Sequence, residues 1–171
     1  MHALKLALLL LLTACAGQSA SDADATTGAD AAPAPPLFFV ALLPGDTTAT
    51  LLADTPTATD LPLLPIVPGG QGFSMVLPRI AARAPWAGHI NLKLWLERDD
   101  DGYPLPAGLS FAFVSLDPLG PLWVSPELPL VIDTPCSVVG HVLHARADAA
   151  GAGVNQHLDG RFHVSFGQNC P

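Results

Sequence analysis

Residues His89–Arg98 read HINLKLWLER, and this stretch decides the fold. Ile90, Leu92, Leu94 and Leu96 recur at every second position, with His89, Asn91, Lys93, Trp95 and Glu97 between them. A period of two puts the four aliphatic residues on one face of a β-strand and the polar set on the other; a helix would scatter both. The strand therefore belongs to a sheet with one buried side. Trp95, alone among polar neighbours, marks the outer side either as an aromatic platform for a ligand or as a place where a loop packs.

Further along, Ser137–Ala147 and His157–Phe166 alternate in the same way and predict a hairpin. Setting Leu143 against Phe162, Ala145 against Gly160 and Ala147 against Leu158 gathers the apolar residues on the core side. The same register puts Arg146 opposite Asp159 and Asp148 opposite His157 on the outer side, two attractive cross-strand pairs. Residues Ala149–Gln156, with Gly151 and Gly153, form the expected loop. Cys136 and Cys170 fall just beyond the open end of the hairpin, one residue out of register, and read as a disulfide. Closing a loop of that span stabilises a fold by about 4 kcal/mol in the chain-entropy model. No Trp lies between the two cysteines, so this is not the antibody arrangement of Cys, Trp and Cys.

Working outward, the remaining apolar runs are short and separated by Pro, Gly and Asp. They predict strands at Phe38–Leu42, Thr47–Ala53, Leu61–Ile66, Phe73–Ile80, Leu109–Ser115 and Leu128–Ile132, with Pro78 demoting its strand to an edge or a bulge. The chain has 171 residues, 18 of them Pro and 15 Gly, which is incompatible with a helix bundle. With 50% hydrophobic and 13% charged residues it can bury a core and is not a wholly disordered polymer. Many short strands with frequent turns imply an all-β, antiparallel sandwich over residues 37–171, with a small barrel as the alternative. The formal net charge of −8, from 7 basic and 15 acidic residues, argues against nucleic acid as a partner.

The start of the chain is of another kind. Residues 1–14 combine Lys5, an apolar run from Leu6 to Leu12 and small residues, the parts of a secretory signal. The run is too short to span a membrane as a helix. Leu12-Thr13-Ala14-Cys15 looks like a bacterial lipobox, a resemblance that implies acylation of Cys15 by a thioether-linked diacylglycerol and an amide-linked chain. Such chains anchor a protein through buried methylenes, at about 0.8 kcal/mol each. Ala14-Cys15-Ala16 also fits an A-x-A cleavage site, which would mean plain secretion. Removing residues 1–14 leaves 157, and the loss of Lys5 takes the formal charge from −8 to −9. Residues 15–36 then form a tether with three Asp and no base, ending in a stiffer Pro-rich piece. Ala16 rather than Asp after the lipid-bearing Cys favours, by resemblance to Gram-negative lipoproteins, the outer membrane, with the domain facing the periplasm or the cell surface.

Chemistry-bearing motifs are weak. The outer face of the hairpin carries His144, His157 and His163, and His141 lies nearby, so a metal-binding envelope protein is the alternative reading. Against it, His141-x-x-His144 divides between opposite strand faces and Arg161 lies opposite His144. Copper of the blue type is disfavoured too, since only Pro171 follows Cys170 and Met75 is the only Met outside the signal. Asp99-Asp100-Asp101-Gly102 resembles part of a calcium loop, but Ser110 stands where an EF-hand places its Glu, and a hairpin turn is the better reading. Gly69-Gly70-Gln71-Gly72 precedes a strand rather than a helix, so it lacks a phosphate-binding helix N-terminus. Cys136 with a nearby His could be imagined as a nucleophile pair, but the disulfide reading excludes a free thiol. No catalytic constellation and no cofactor motif is evident.

The order lipobox, acidic tether, Gly-Gly-Gln-Gly before a strand and Cys-flanked final hairpin resembles small uncharacterised bacterial outer-membrane lipoproteins with an Ig-like domain. The resemblance implies a fold and an address in the cell envelope. The expected function is a non-enzymatic binding or structural module, with the membrane contacted through the lipid and another envelope protein or a glycan as partner.

Overall fold

The computed structural model describes residues 34–43, 46–52 and 60–167, so Cys15, the tether before residue 34 and Cys170 lie outside the described residues. Among the described residues twelve strands follow one another: β1 Leu37–Ala41, β2 Thr50–Leu51, β3 Leu63–Pro68, β4 Ser74–Val76, β5 Arg79–Ala82, β6 Ile90–Arg98, β7 Pro104–Val114, β8 Asp117–Leu119, β9 Leu122–Val124, β10 Leu130–Ile132, β11 Val142–Gly151 and β12 Val154–Phe166. Two single 3-10 turns, Gly70–Gly72 and Pro135–Ser137, are the only helical pieces among the described residues. No helix there is long and apolar enough to cross a membrane.

The strands form two sheets, one in the order β2-β1-β5-β9-β8 and one in the order β10-β4-β3-β12-β11-β6-β7. Their inner faces share one core. In it Ile90, Leu92, Leu94 and Leu96 of β6, Leu143, Ala145 and Ala147 of β11 and Leu158 and Phe162 of β12 meet Phe39 of β1 and Ile80 of β5. The long sheet bends, bringing β10 back against β7, so the sandwich approaches a barrel. The sandwich was expected to be antiparallel throughout, and one pair departs from this: β3 runs parallel to β12, His163 beside Leu63 and Phe166 beside Ile66. A parallel pair needs a long crossover, and here nearly the whole domain lies between the two strands.

The hairpin has the expected register, with Leu143 opposite Phe162, Ala145 opposite Gly160, Arg146 opposite Asp159 and Asp148 opposite His157. Its loop is shorter than the sequence suggested. The strands zip up to Gly151 and Val154, leaving only Ala152 (φ 48°) and Gly153 (φ 81°) in the turn. Two central residues at positive φ make the primed type of turn that matches strand twist. Ala152 occupies a position that usually falls to Asn or Gly, which hid the turn. At the other end of β11, Ser137 lies in a 3-10 turn and the strand begins only at Val142.

Pro78 does more than demote a strand. It separates β4 from β5, and the two halves join different sheets: β4 pairs with β3 and β10, β5 with β1 and β9. On the neighbouring chain Ser125 manages the same bend. Its buried hydroxyl accepts the Ile80 N–H (3.0 Å) and donates to the Pro126 carbonyl (2.7 Å). The small β8–β9 hairpin, Asp117–Leu119 with Leu122–Val124, was absent from the sequence reading, because three-residue strands leave no measurable period.

The sheets approach closely over Gly160. A Cβ there would lie 2.8 Å from Phe39 Cβ, 3.0 Å from Phe39 Cδ2 and 3.1 Å from Leu52 Cβ. The Gln156 side-chain amide adds a polar tie between the sheets. It accepts the Leu37 N–H (3.0 Å) and donates to the Leu37 carbonyl (2.9 Å). Gly160→Ala is expected to destabilise the domain by about 1–3 kcal/mol through overpacking, read as a lower urea midpoint with the strand content unchanged. A midpoint equal to that of the wild type would show that Phe39 does not sit where this packing requires.

Candidate functional site

Strands β12, β11, β6 and β7 lie side by side, and the outward residues of each form rows across the sheet. One row runs His157, Asp148, Lys93, Phe111; the next runs Asn155, Ala150, Asn91, Phe113. Nearer the Arg98 end lie Asp159, Arg146 and Trp95, then Arg161, His144 and Glu97. The sequence suggests charge pairs on this face, with Trp95 as an aromatic platform or under a loop. The structure divides it into a sunken ionic end and an exposed aromatic end.

At the ionic end His144 is only 5% exposed. It lies on an interior strand with Val142 and Arg146 along the chain and Arg161 and Glu97 across, and these neighbours cover it. Its Nε2 lies 2.6 Å from Asp159 Oδ1, and its Nδ1 is 3.1 Å from Glu97 Oε1 and 3.5 Å from Asp99 Oδ1. Arg161 Nε donates to Asp99 (2.9 Å) and Arg146 Nη1 to Glu97 (3.3 Å). Burial, and next the Arg161 guanidinium, push the His144 pKa below the usual imidazole value, against the opposing pull of Asp159 and Glu97. Nε2 is held by Asp159 and Nδ1 is turned toward Glu97 and Asp99, so neither nitrogen of this buried ring faces open space where a substrate could reach it.

The other histidines of the alternative, metal-binding reading disperse in the same way. His157 Nδ1 pairs with Asp148 (2.9 Å), His141 Nδ1 with Asp100 (2.7 Å), and His163 Nδ1 faces the His141 carbonyl (3.3 Å). Among the described residues no group of three or more His, Cys, Asp or Glu is placed to hold a metal ion. Asp99, Asp100 and Asp101 also diverge. They bind Arg161, His141, and Arg98 with the Tyr103 N–H, respectively, so the acidic run is the β6–β7 turn. The Tyr103 N–H, aided by Arg98, holds the Asp101 carboxyl below its ordinary value. Cys136 sits in the 3-10 turn before β11 and its sulfur is engaged in a bond rather than free.

At the aromatic end, Phe111 and Phe113 are 73% and 64% exposed. The Phe113 ring stacks on His89 with centroids 4.5 Å apart. Trp95 is half-buried, with Lys93 Nζ 5.7 Å and Arg146 Cζ 5.5 Å from its ring centre and the His157 ring 5.6 Å away. Among the described residues its ring contacts come from side chains of its own face. Phe111 and Phe113 were missed as functional candidates. The signal lay in Ser110-Phe111-Ala112-Phe113, which alternates as a strand does, but nothing local says which side faces solvent.

A separate cavity of about 280 Å³ opens between β1, β3 and β5, lined by Leu42, Leu43, Leu64, Val67 and Leu77 with Arg79 in its wall. Arg79 is already engaged by Glu127 (3.1 Å) and the Ser125 carbonyl (3.2 Å), so its charge is not available to orient a ligand there. The chain matches no family model, no curated protein and no solved structure. The surface itself therefore carries the functional argument.

His144 gives a pH test. A buried group with a depressed pKa keeps its stabilising contribution above the unfolded value of 6.5 and loses it as pH falls below that toward the folded value, because the unfolded chain takes up the proton first. The urea midpoint of the wild type should therefore fall between about pH 7.5 and about pH 5 by more than that of His144→Asn. Equal falls would remove His144 as a source of acid sensitivity.

Proposed function

We propose that this protein is a non-enzymatic, lipid-anchored module of the bacterial cell envelope that presents the outer face of β6, β7, β11 and β12 for recognition of another envelope protein or a glycan. The observation that carries the reading is the exposure of Phe111 and Phe113 on a rigid sheet, beside Lys93 and Trp95. Large aromatic rings left in water on an ordered strand cost solubility unless they meet something. Catalysis is not part of the reading, because among the described residues the buried imidazole, His144, is held by carboxylates and has no hydroxyl or thiol hydrogen-bonded to it.

The anchor is Cys15, acylated after removal of residues 1–14, with residues 16–36 as spacer and the outer membrane of a Gram-negative cell as the address. The lipobox-like Leu12-Thr13-Ala14-Cys15 supports this. We read the sandwich as Ig-like and closed by a disulfide between Cys136 and Cys170. The two facing sheets and the engaged sulfur of Cys136 support that reading.

Intact mass of the protein from its native membrane fraction, before and after reduction, tests the anchor and the disulfide together. The expected species begins at Cys15, carries acyl mass and gains two hydrogens on reduction. An unmodified chain beginning at Gly17 would replace the anchor with secretion. Maleimide labelling of Phe111→Cys tests the face. Labelling should be several-fold slower in isolated envelopes than in purified protein, while a control at exposed Val139, Val139→Cys, reacts alike in both. Equal rates at position 111 would leave the face without a partner.

A further inference from the structure

Resting on that reading of the face, we propose that its ligand is an uncharged, hydroxyl-rich polysaccharide chain, lying along β7 with sugar rings on Phe111 and Phe113 and hydroxyls on Asn91, Lys93 and Asp148. Each exposed ring has a hydrogen-bonding side chain directly beside it on β6: Lys93 beside Phe111, and Asn91 beside Phe113. One strand further in, Asp148 stands beside Lys93. Alternation of flat apolar surface with single donors and acceptors matches a ligand whose rings have apolar faces and hydroxylated rims. The two phenyl rings are two residues apart on one strand, hence about 7 Å apart, so a single extended chain can lie across both.

The charges of the face decide between classes of ligand. Asp148 is paired with His157, and Arg146 with Glu97 and Asp159, so most of the ions there satisfy one another. Lys93, the only Lys beyond position 5, lies opposite Asp148, and the chain as a whole carries −8. An anionic polymer would meet no cationic field here. A protein partner or a second copy would want a broad, desolvated apolar centre, whereas here two rings stand among polar neighbours. The surface is also preorganised. Phe113 is braced on His89, and both rings project from hydrogen-bonded strand, so little ordering is required on binding.

Native affinity electrophoresis of the purified mature protein through gels containing hydroxyethylcellulose, xylan or galactomannan tests the proposal, with polygalacturonate as the anionic control. At least one neutral polymer should retard the wild type, with little change on adding salt. Phe111→Ala and Phe113→Ala should each weaken the apparent affinity by about 2- to 10-fold, and the double variant should migrate as if no polymer were present. Lys93→Gln should weaken binding less. Both rings are exposed, and unchanged urea midpoints would establish that the variants are folded. Retardation by none of the neutral polymers overturns the proposal, as does retardation by polygalacturonate alone that salt abolishes. Retardation that survives in the double variant overturns the assignment to this face. Self-association of the wild type that the double variant loses, without any retardation, replaces the glycan with a second copy. Protection of position 111 in envelopes, with no polysaccharide bound, would remove the glycan while leaving the recognition face in place.

Discussion

Phe39 lies on Gly160, and the rest of the sandwich depends on that contact. The ring belongs to one sheet and the bare backbone to the other, and only the missing Cβ lets them close to van der Waals distance. The inner row across the long sheet runs Gly160, Ala145, Leu96, small where Phe39 descends and large further out, so the two inner faces interlock by volume. Gln156 holds the Leu37 backbone close by, and β1 thus enters the sandwich with a fixed height and register. Native cores tolerate little change in volume at such points.

With the inner face committed to packing, the outer face of the same four strands is free to differ along its length, and it does. Its ionic end is a network in which His144, Arg146 and Arg161 share Glu97, Asp99 and Asp159. Half-buried ion pairs of this kind add little net stability, but His144, buried among them, is expensive to replace. They fix the positions of neighbouring strands across β12, β11 and β6 without a second apolar core. Two residues along the strands, the same face carries exposed rings. A stiff ionic end beside an open aromatic end is an arrangement suited to holding a ligand on a surface that does not itself move.

Much of this was legible before any coordinates. The alternation in His89–Arg98 and in the hairpin specifies which residues face inward, because a strand has only two sides and burying the aliphatic one excludes the other register. Pairing Arg146 with Asp159 and Asp148 with His157 follows from the same constraint, whereas Pro78 pointed only to an edge or a bulge and not to a strand divided between two sheets. What failed were features without a local period: the three-residue strands of the β8–β9 hairpin, the two-residue turn hidden by Ala152, and the parallel pairing of β3 with β12.

Thus the order of apolar and polar residues determined by itself that the domain is all-β, which side of β6, β11 and β12 is buried, and how the final hairpin is registered, since these depend on neighbours within a few residues or across one turn. Only the tertiary structure decided that His144 sinks among carboxylates while Phe111 and Phe113 stay in water. Both outcomes depend on which strands lie alongside. His144 sits on a central strand between two others that bring long charged side chains, whereas β7 ends its sheet with no further strand paired to it among the described residues. Exposure is a property of neighbours in space, and no local pattern records it.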